Sequence, residues 1–285
     1  MSAAGRWKRD LEAWAIPEAI LSAAPESPWG FPTSLFAGRA ASAVRRGLSS
    51  ANYRALEALP EGGSVLDVGV GGGAGSLPLA GKAGLITGVD QSQGMLDSFV
   101  EAATKASVAS ATVLGSWPEA ADEAPEADVV ICHHVFYNVA GLEPFVNTLS
   151  AKARLRVVVE LTPEHPLAWM GDLWLKFHGL ARPKGPTYRD AVDVVAEMGF
   201  EVHHELTSGP PAMSGFPSRQ DAIALVRKRV CLRPEQDEEL AEALGDRLTE
   251  TEGLWTASPP QHEIATLWWD TSNGRPGRAA VRENR

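Results

Sequence analysis

Cysteine is scarce. Cys132 and Cys231 are the only two in 285 residues, and neither belongs to a Cys-x-x-Cys pair or a Cys/His cluster. That argues against a disulfide framework and a structural zinc site, and leaves two buried free thiols as the expectation. Basic charge is also short: 26 Lys and Arg stand against 36 Asp and Glu, a net charge of -10. Such a surface repels phosphate backbones, so nucleic acid is not the expected partner. No run of about 18 apolar residues occurs, so no membrane span is expected. The first residues, MSAAGRWKRDLEAW, carry charges where a secretory signal needs an apolar core. The expectation is a cytoplasmic protein without a metal. Hydrophobic residues, by contrast, reach 44% against 22% charged. That is enough for one large domain, or a core with an attached cap.

Short apolar runs bounded by glycine and aspartate alternate with helical periodicity from Ser64 to Thr162. SVLDVGV, GLITGVD (Gly84–Asp90), SATVLGS, ADVVICHHVFYNV and LRVVVELT read as buried strands. SSANYRALEAL (Ser49–Leu59), SQGMLDSFVEAATKA and GLEPFVNTLSAKA read as helices between or before them, and a helix is expected after the first strand's glycines. The alternation specifies a parallel sheet with helices on both faces. Beyond Thr162 come a long aromatic, proline-broken segment, a helix stopped at Gly199, and two more strands, EVHHELTS and HEIATLWWDT. The fold class is α/β: a Rossmann-like, seven-stranded, mostly parallel sheet with one antiparallel strand and a helical cap. The expected divisions are a helical prelude at 1–48, with a short helix around Leu11, Trp14 and Ile16, and a core at 49–208. A mostly helical insertion at 209–261 follows, with Leu240, Leu244 and Leu248 on one amphipathic helix over Glu235–Glu252. The final strand falls at 262–272 and a disordered tail at 273–285.

The stretch VLDVGVGGGAGSLPLA (Val65–Ala80) is poor helix and poor strand. Glycines between a strand and a helix let a ligand approach the main chain, at the carboxyl edge where open parallel sheets bind ligands. Gly69, Gly71 and Ala74 satisfy the dinucleotide fingerprint, and Asp90 lies 19 residues beyond Gly71, where a dinucleotide enzyme keeps its ribose-binding acid. Asp67, two positions before the first glycine, shifts the balance. A carboxylate there repels a pyrophosphate and suits a ligand with an ammonium group.

LDVGVGGGAG resembles the first motif of class I S-adenosylmethionine-dependent methyltransferases, with Asp67, Gly69, Gly71 and Gly73 in its fixed positions. GVDQSQGMLDSF is similar to the second motif through Asp90, Ser92, Met95 and Leu96; VLGSWPEA and ADVVICHHVFYNV resemble the third and fourth. HEIATLWWDT fits the family's reversed last strand. The resemblance spans about 49–208 and 262–271. It implies S-adenosylmethionine as cofactor and S-adenosylhomocysteine as product. It sets the main chain of Gly69–Gly73 against the methionyl part, Asp67 near the amino group and Asp90 on the ribose hydroxyls. Gln91 and Met95 flank the adenine. Ser116 replaces an aspartate that many relatives carry for the adenine amine, a loss that stacking by Trp117 would compensate. His133 lines the methyl-bearing side.

Methyl transfer needs alignment and exclusion of water, with a base only where the acceptor loses a proton. Candidates are His133, His134 and Tyr137, with Glu160, His165 and His178 further along. Because adjacent strand residues face opposite ways, at most one of His133 and His134 is expected to face the ligand. The fourth motif lacks the Asn/Asp-Pro-Pro-Tyr of enzymes that methylate DNA bases, and no carboxylate trio suggests a catechol-type magnesium site. A small-molecule acceptor is therefore expected, enclosed by Trp169, Trp174 and Phe177 and by aromatic residues of Ser27–Arg39. Two other readings stay open: a nicotinamide-dependent oxidoreductase, and a non-catalytic S-adenosylmethionine-binding protein on the same fold.

Overall fold

The computed structural model describes residues 1–29, 47–209, 214–259 and 262–271. Arg39, much of the Ser27–Arg39 segment and the tail at 273–285 lie outside them. The chain begins with helices α1 (Ala3–Glu12), α2 (Glu18–Ala23) and α3 (Ser50–Ala58). Strand β1 (Gly63–Val68) and β2 (Ala83–Asp90) come next, then α4 (Gln93–Lys105), β3 (Ala109–Leu114), β4 (Ala127–His133), α5 (Leu142–Lys152) and β5 (Ala153–Leu161). Helices α6 (Gly171–His178) and α7 (Tyr188–Glu197) lead to β6 (His203–Gly209) and β7 (Ser214–Phe216). The chain continues through α8 (Arg219–Arg229), α9 (Asp237–Leu244), β8 (Leu248–Thr251), β9 (Leu254–Ala257) and β10 (His262–Asp270).

The main sheet has seven strands in the order β3-β2-β1-β4-β5-β10-β6. β10 runs antiparallel to both β5 and β6, and the other pairings are parallel. Strand order reverses between β1 and β4, which opens the crevice where such sheets bind ligands. Side-chain alternation covers both faces. Leu66, Val68, Val130, Cys132, Val157 and Val159 pack under α1, α5 and α7. Val65, Val129, Ile131 and Val158 pack under α3 and α4, with Ile86. By this parity Asp67, His133 and Glu160 fall on the α3 side. No described helix is long and apolar enough to cross a membrane.

Three expectations need correction. The glycines are followed only by a single 3-10 turn at Leu77–Leu79. Pro78 lacks an N–H, and the chain re-enters the sheet at Ala83, so no full helix fits. The segment Glu235–Glu252 is not one helix. α9 stops at Gly245, whose φ is 51°, and β8 and β9 form a hairpin across Glu252 and Gly253, whose φ values are 53° and 76°. Two successive positive φ values suit the twist of a two-residue hairpin. With β7 this hairpin makes a second, three-stranded sheet, so the insertion is mixed rather than helical. Its core gathers Met170, Leu173, Trp174, Ile223, Val226 and Leu240 with Ile16 of the prelude. The first helix also starts earlier than expected, and it belongs to the main core: Trp7 is fully buried there, its indole donating to the Val139 carbonyl at 2.8 Å.

Candidate active site

The glycine loop leaves β1 tied to β2: the amides of Gly69 and Val70 both donate to the Val89 carbonyl, at 2.8 and 3.0 Å. Gly69, Gly71 and Gly73 have φ of 79°, 50° and 85°, the left-handed region glycine occupies without strain. Packing adds a second reason. A Cβ on Gly69 would sit 2.4 Å from Val135 Cγ2, and one on Gly73 would sit 2.9 Å from Leu77 and Phe99. Part of what crowds this backbone is therefore the protein's own side chains. At the loop's far end, Gly75 lies under the His133 ring, and its carbonyl accepts from Asn52 Nδ2 at 2.8 Å. Asn52 and Ser49 form a reciprocal cap at the start of α3, so that cap pins the loop. The Ser-x-x-Asn spacing marks a helix start, but only the fold shows that it touches the loop.

Asp90 closes β2 and links two motifs. Its Oδ2 accepts from the Gly71 amide at 3.0 Å and its Oδ1 from the Ser92 amide at 2.9 Å. A carboxylate oxygen has two acceptor sites, so each keeps one for a ligand. Asp67 is 2% exposed, and its Oδ2 has no partner. Burial pushes this carboxyl up to about 7; the Ser76 hydroxyl opposes the rise and the charge of Asp90 adds to it. Beside them Ser116 Oγ lies 3.4 Å from Gln91 Oε1, both exposed, with Met95 half-buried. Trp117 packs against the main core and holds a buried Nε1 without a partner. Asp67, Gly69–Gly73, Asp90, Gln91, Met95, Ser116 and Trp117 thus come together at the carboxyl ends of β1 to β3 and the start of α4.

β4 ends at His133, and His134 turns to a φ of 59°. That breaks the strand alternation, so both imidazoles, rather than one, lie near Glu160. The His133 ring has a buried Nε2 without a partner, and burial pushes its pKa down, which keeps it neutral. The His134 amide donates to the Glu160 carbonyl at 2.6 Å, and its Nε2 lies 3.1 Å from Glu160 Oε1. Burial works against the Glu160 carboxylate, but the imidazoles of His133 and His134 and the Ser49 hydroxyl more than offset it and hold it down to about 2.

Tyr137 does not suit the role of base. It is 5% exposed, its ring stacks on Trp7, and its hydroxyl donates to the Thr162 carbonyl at 2.9 Å. Burial pushes its pKa far above the usual phenol range. His165 stacks on Trp14 at 3.9 Å, and burial, with Arg182 nearby, holds it down to about 3. His178 Nε2 pairs with the Val230 carbonyl at 2.7 Å. Trp174 is 1% exposed in the cap core, with the His178 ring at 5.0 Å and the Arg182 guanidinium 4.8 Å from its own ring, so it does not wall an open pocket. Trp169 and Phe177 pack against the same core. Trp169 keeps a partnerless Nε1, and Phe177 lines a cavity of about 270 Å³ with Ile20, His178 and Cys231.

Residues 65–154 match the family described as a methyltransferase domain. That match identifies residues 65–154 as a methyltransferase domain. Among solved structures, a cyclopropane-fatty-acyl-phospholipid synthase-like protein from Lactobacillus casei is similar at a TM-score of 0.52 and 13% identity, over 92% of this chain and 99% of its own. A Bacillus halodurans protein described as a candidate methyltransferase gives 0.51 and 14%, over 79% of this chain and 99% of its own. At those identities the likeness concerns the fold. An uncharacterized protein of Haemophilus influenzae is 25% identical over 209 residues, 73% of this chain and 76% of its own. S-adenosylmethionine is the cofactor that such a domain implies, and the residues of the crevice fit it. The orphaned carboxylate oxygen of Asp67 and the free acceptor sites of Asp90 match an ammonium and vicinal hydroxyls. The glycine loop would offer such a ligand main chain rather than side chains.

Proposed function

We propose that the protein transfers the methyl group of S-adenosylmethionine to a small-molecule acceptor over the carboxyl ends of β4 and β5. Asp67 carries this reading: a buried carboxylate with a partnerless oxygen at the mouth of the glycine loop repels a phosphate and calls for a cationic ligand group. Asp67 would hold the amino group, the Gly69–Gly73 main chain the methionyl part, and Asp90 the ribose hydroxyls. Gln91, Met95, Ser116 and Trp117 would surround the adenine, and His133 would line the methyl-bearing side. The cofactor supplies an electrophilic methyl carbon. The chain orients the acceptor against it and excludes water. The acidic net charge of -10 favours a small molecule over nucleic acid. Trp169 and Phe177, in the cap, remain the candidates for acceptor contact, and Trp174 supports them from behind.

Thermal-shift assays with S-adenosylhomocysteine, NAD and NADP test the reading, followed by tritiated-methyl transfer to a metabolite panel. Stabilisation by S-adenosylhomocysteine alone, with label in at least one acceptor, is expected. Stabilisation by NAD or NADP alone would replace this reading with the oxidoreductase. Binding without transfer to any acceptor would favour the non-catalytic one.

A further inference from the structure

His134 and Glu160 form a pair that the sequence does not announce, since twenty-six positions separate them. The register of β4 against β5 sets His133 opposite Glu160, and the left-handed turn at His134 then brings the next imidazole over the same carboxylate. Two contacts fix it: the main-chain bond at 2.6 Å and the Nε2 to Oε1 approach at 3.1 Å. A left-handed φ on a non-glycine residue costs roughly 1 kcal/mol and persists where the surroundings impose it. Glu160 has no Lys or Arg within ion-pair distance among the described residues; its side chain is 13% exposed, while that of His134 is 48% exposed. The groups facing Glu160 are the imidazoles of His133 and His134 and the Ser49 hydroxyl at the start of α3.

A carboxylate on one ring nitrogen fixes which nitrogen carries the proton and leaves the other as a lone pair. With Nε2–H donated to Glu160, Nδ1 of His134 is the free base, on a half-exposed ring at the strand end that borders the glycine loop. His133 is unsuited to the same role, because its ring lies on Gly75 and its pKa is pushed down.

We infer that His134 is a general base oriented by Glu160, and that the acceptor is a hydroxyl or thiol compound whose attacking atom must lose a proton. The inference rests on the methyltransferase reading above. In the step, the acceptor oxygen or sulfur forms a bond to the methyl carbon, and its proton passes to His134 Nδ1. The carbon–sulfonium bond breaks, its electron pair stays on sulfur, and S-adenosylhomocysteine leaves as a neutral thioether. His134 is the catalytic residue and Glu160 its positioning residue.

Two readouts test it. The first needs no acceptor: long-range ¹H–¹⁵N spectra of histidine-labelled protein at pH 8 report which ring nitrogen is protonated. The Nε2–H tautomer of His134 is expected in the wild type, lost to an averaged signal in Glu160→Ala. A wild-type Nδ1–H tautomer, or one unchanged in Glu160→Ala, overturns the pairing. The second uses matched hydroxyl, thiol and amine acceptors on common skeletons with tritiated S-adenosylmethionine. Transfer to hydroxyl or thiol members is expected, falling about 10²- to 10⁴-fold in His134→Ala and recovering in part with added imidazole. Glu160→Gln should lower kcat while leaving KM and S-adenosylhomocysteine affinity alone. Transfer to amines only, or unchanged turnover in His134→Ala, overturns the inference. Wild-type protein that fails to bind S-adenosylhomocysteine removes the methyltransferase reading itself, a separate result from a wrong tautomer.

Discussion

Removing the cofactor should leave an energetic trace at Asp67. Its carboxyl is buried and pushed from 3.8 to about 7. For an acid whose folded value lies above its unfolded one, the folded state holds the proton more tightly. The cost of ionising it is therefore absent below about pH 3.8 and grows until pH passes about 7. Three pH units correspond to about 4 kcal/mol, an upper bound because local relaxation lowers it. Glu160, held down to about 2, is already ionised across pH 5–8 and contributes no slope there. A ligand ammonium needs the ionised Asp67, so binding should expel its proton. With a value of about 7, S-adenosylhomocysteine affinity should weaken about tenfold between pH 8 and pH 6. Calorimetry in buffers of different ionisation enthalpy should show close to one proton released at pH 6 and almost none at pH 8. 5′-Methylthioadenosine, which lacks the amino-acid end, should bind without release. Asp67→Asn should remove the pH dependence along with much of the affinity. Affinity flat from pH 6 to 8 with no proton released would refute the assignment of Asp67 to the ammonium.

Other positions give independent checks. Asp90→Ala should cost about 1.5–3 kcal/mol of cofactor binding, read by calorimetry. It should also lower the melting temperature of the free protein, because the Gly71 and Ser92 amides lose their acceptor. Gly69→Ala should unfold or strongly destabilise the protein, with Val135 Cγ2 at 2.4 Å from the added methyl. Gly71→Val should lose S-adenosylhomocysteine binding and some stability, because valine is strained at a φ of 50°; normal binding by the folded variant would mean that the loop backbone does not meet the ligand. Trp174→Ala should cost about 3–5 kcal/mol in urea unfolding with cofactor affinity retained, since the ring is buried in the cap core. A stability loss below about 1 kcal/mol would move Trp174 from packing to the pocket.

The core was legible because its signals are local. Strand runs ending in glycine or aspartate, Ser49 capping α3 and the glycine loop are written in consecutive residues, and the strands β1 to β5 start within a few positions of their reading, while the helix expected after β1 is only the turn at Leu77–Leu79. What sequence did not show depends on partners distant in the chain. Leu240, Leu244 and Leu248 keep helical spacing, yet Leu248 belongs to β8, because Gly245 ends the helix and Glu252–Gly253 turns a hairpin. Trp174 reads as a pocket aromatic until the fold buries it in the cap core, with Arg182 over its ring. Tyr137 reads as a base until the Thr162 carbonyl is found against its hydroxyl. The joint presence of His133 and His134 over Glu160 depends on a left-handed residue, which alternation alone does not reveal.

Photolabelling locates the cofactor on the chain. Ultraviolet irradiation with [methyl-³H]S-adenosylmethionine, followed by peptide mapping, reports where the cofactor lies without any knowledge of the acceptor. Label is expected in peptides containing Gly69–Gly73, Asp90–Met95 or Ser116–Trp117, competed away by S-adenosylhomocysteine and not by NAD. Label confined to other peptides, or label that S-adenosylhomocysteine fails to displace, would contradict that placement.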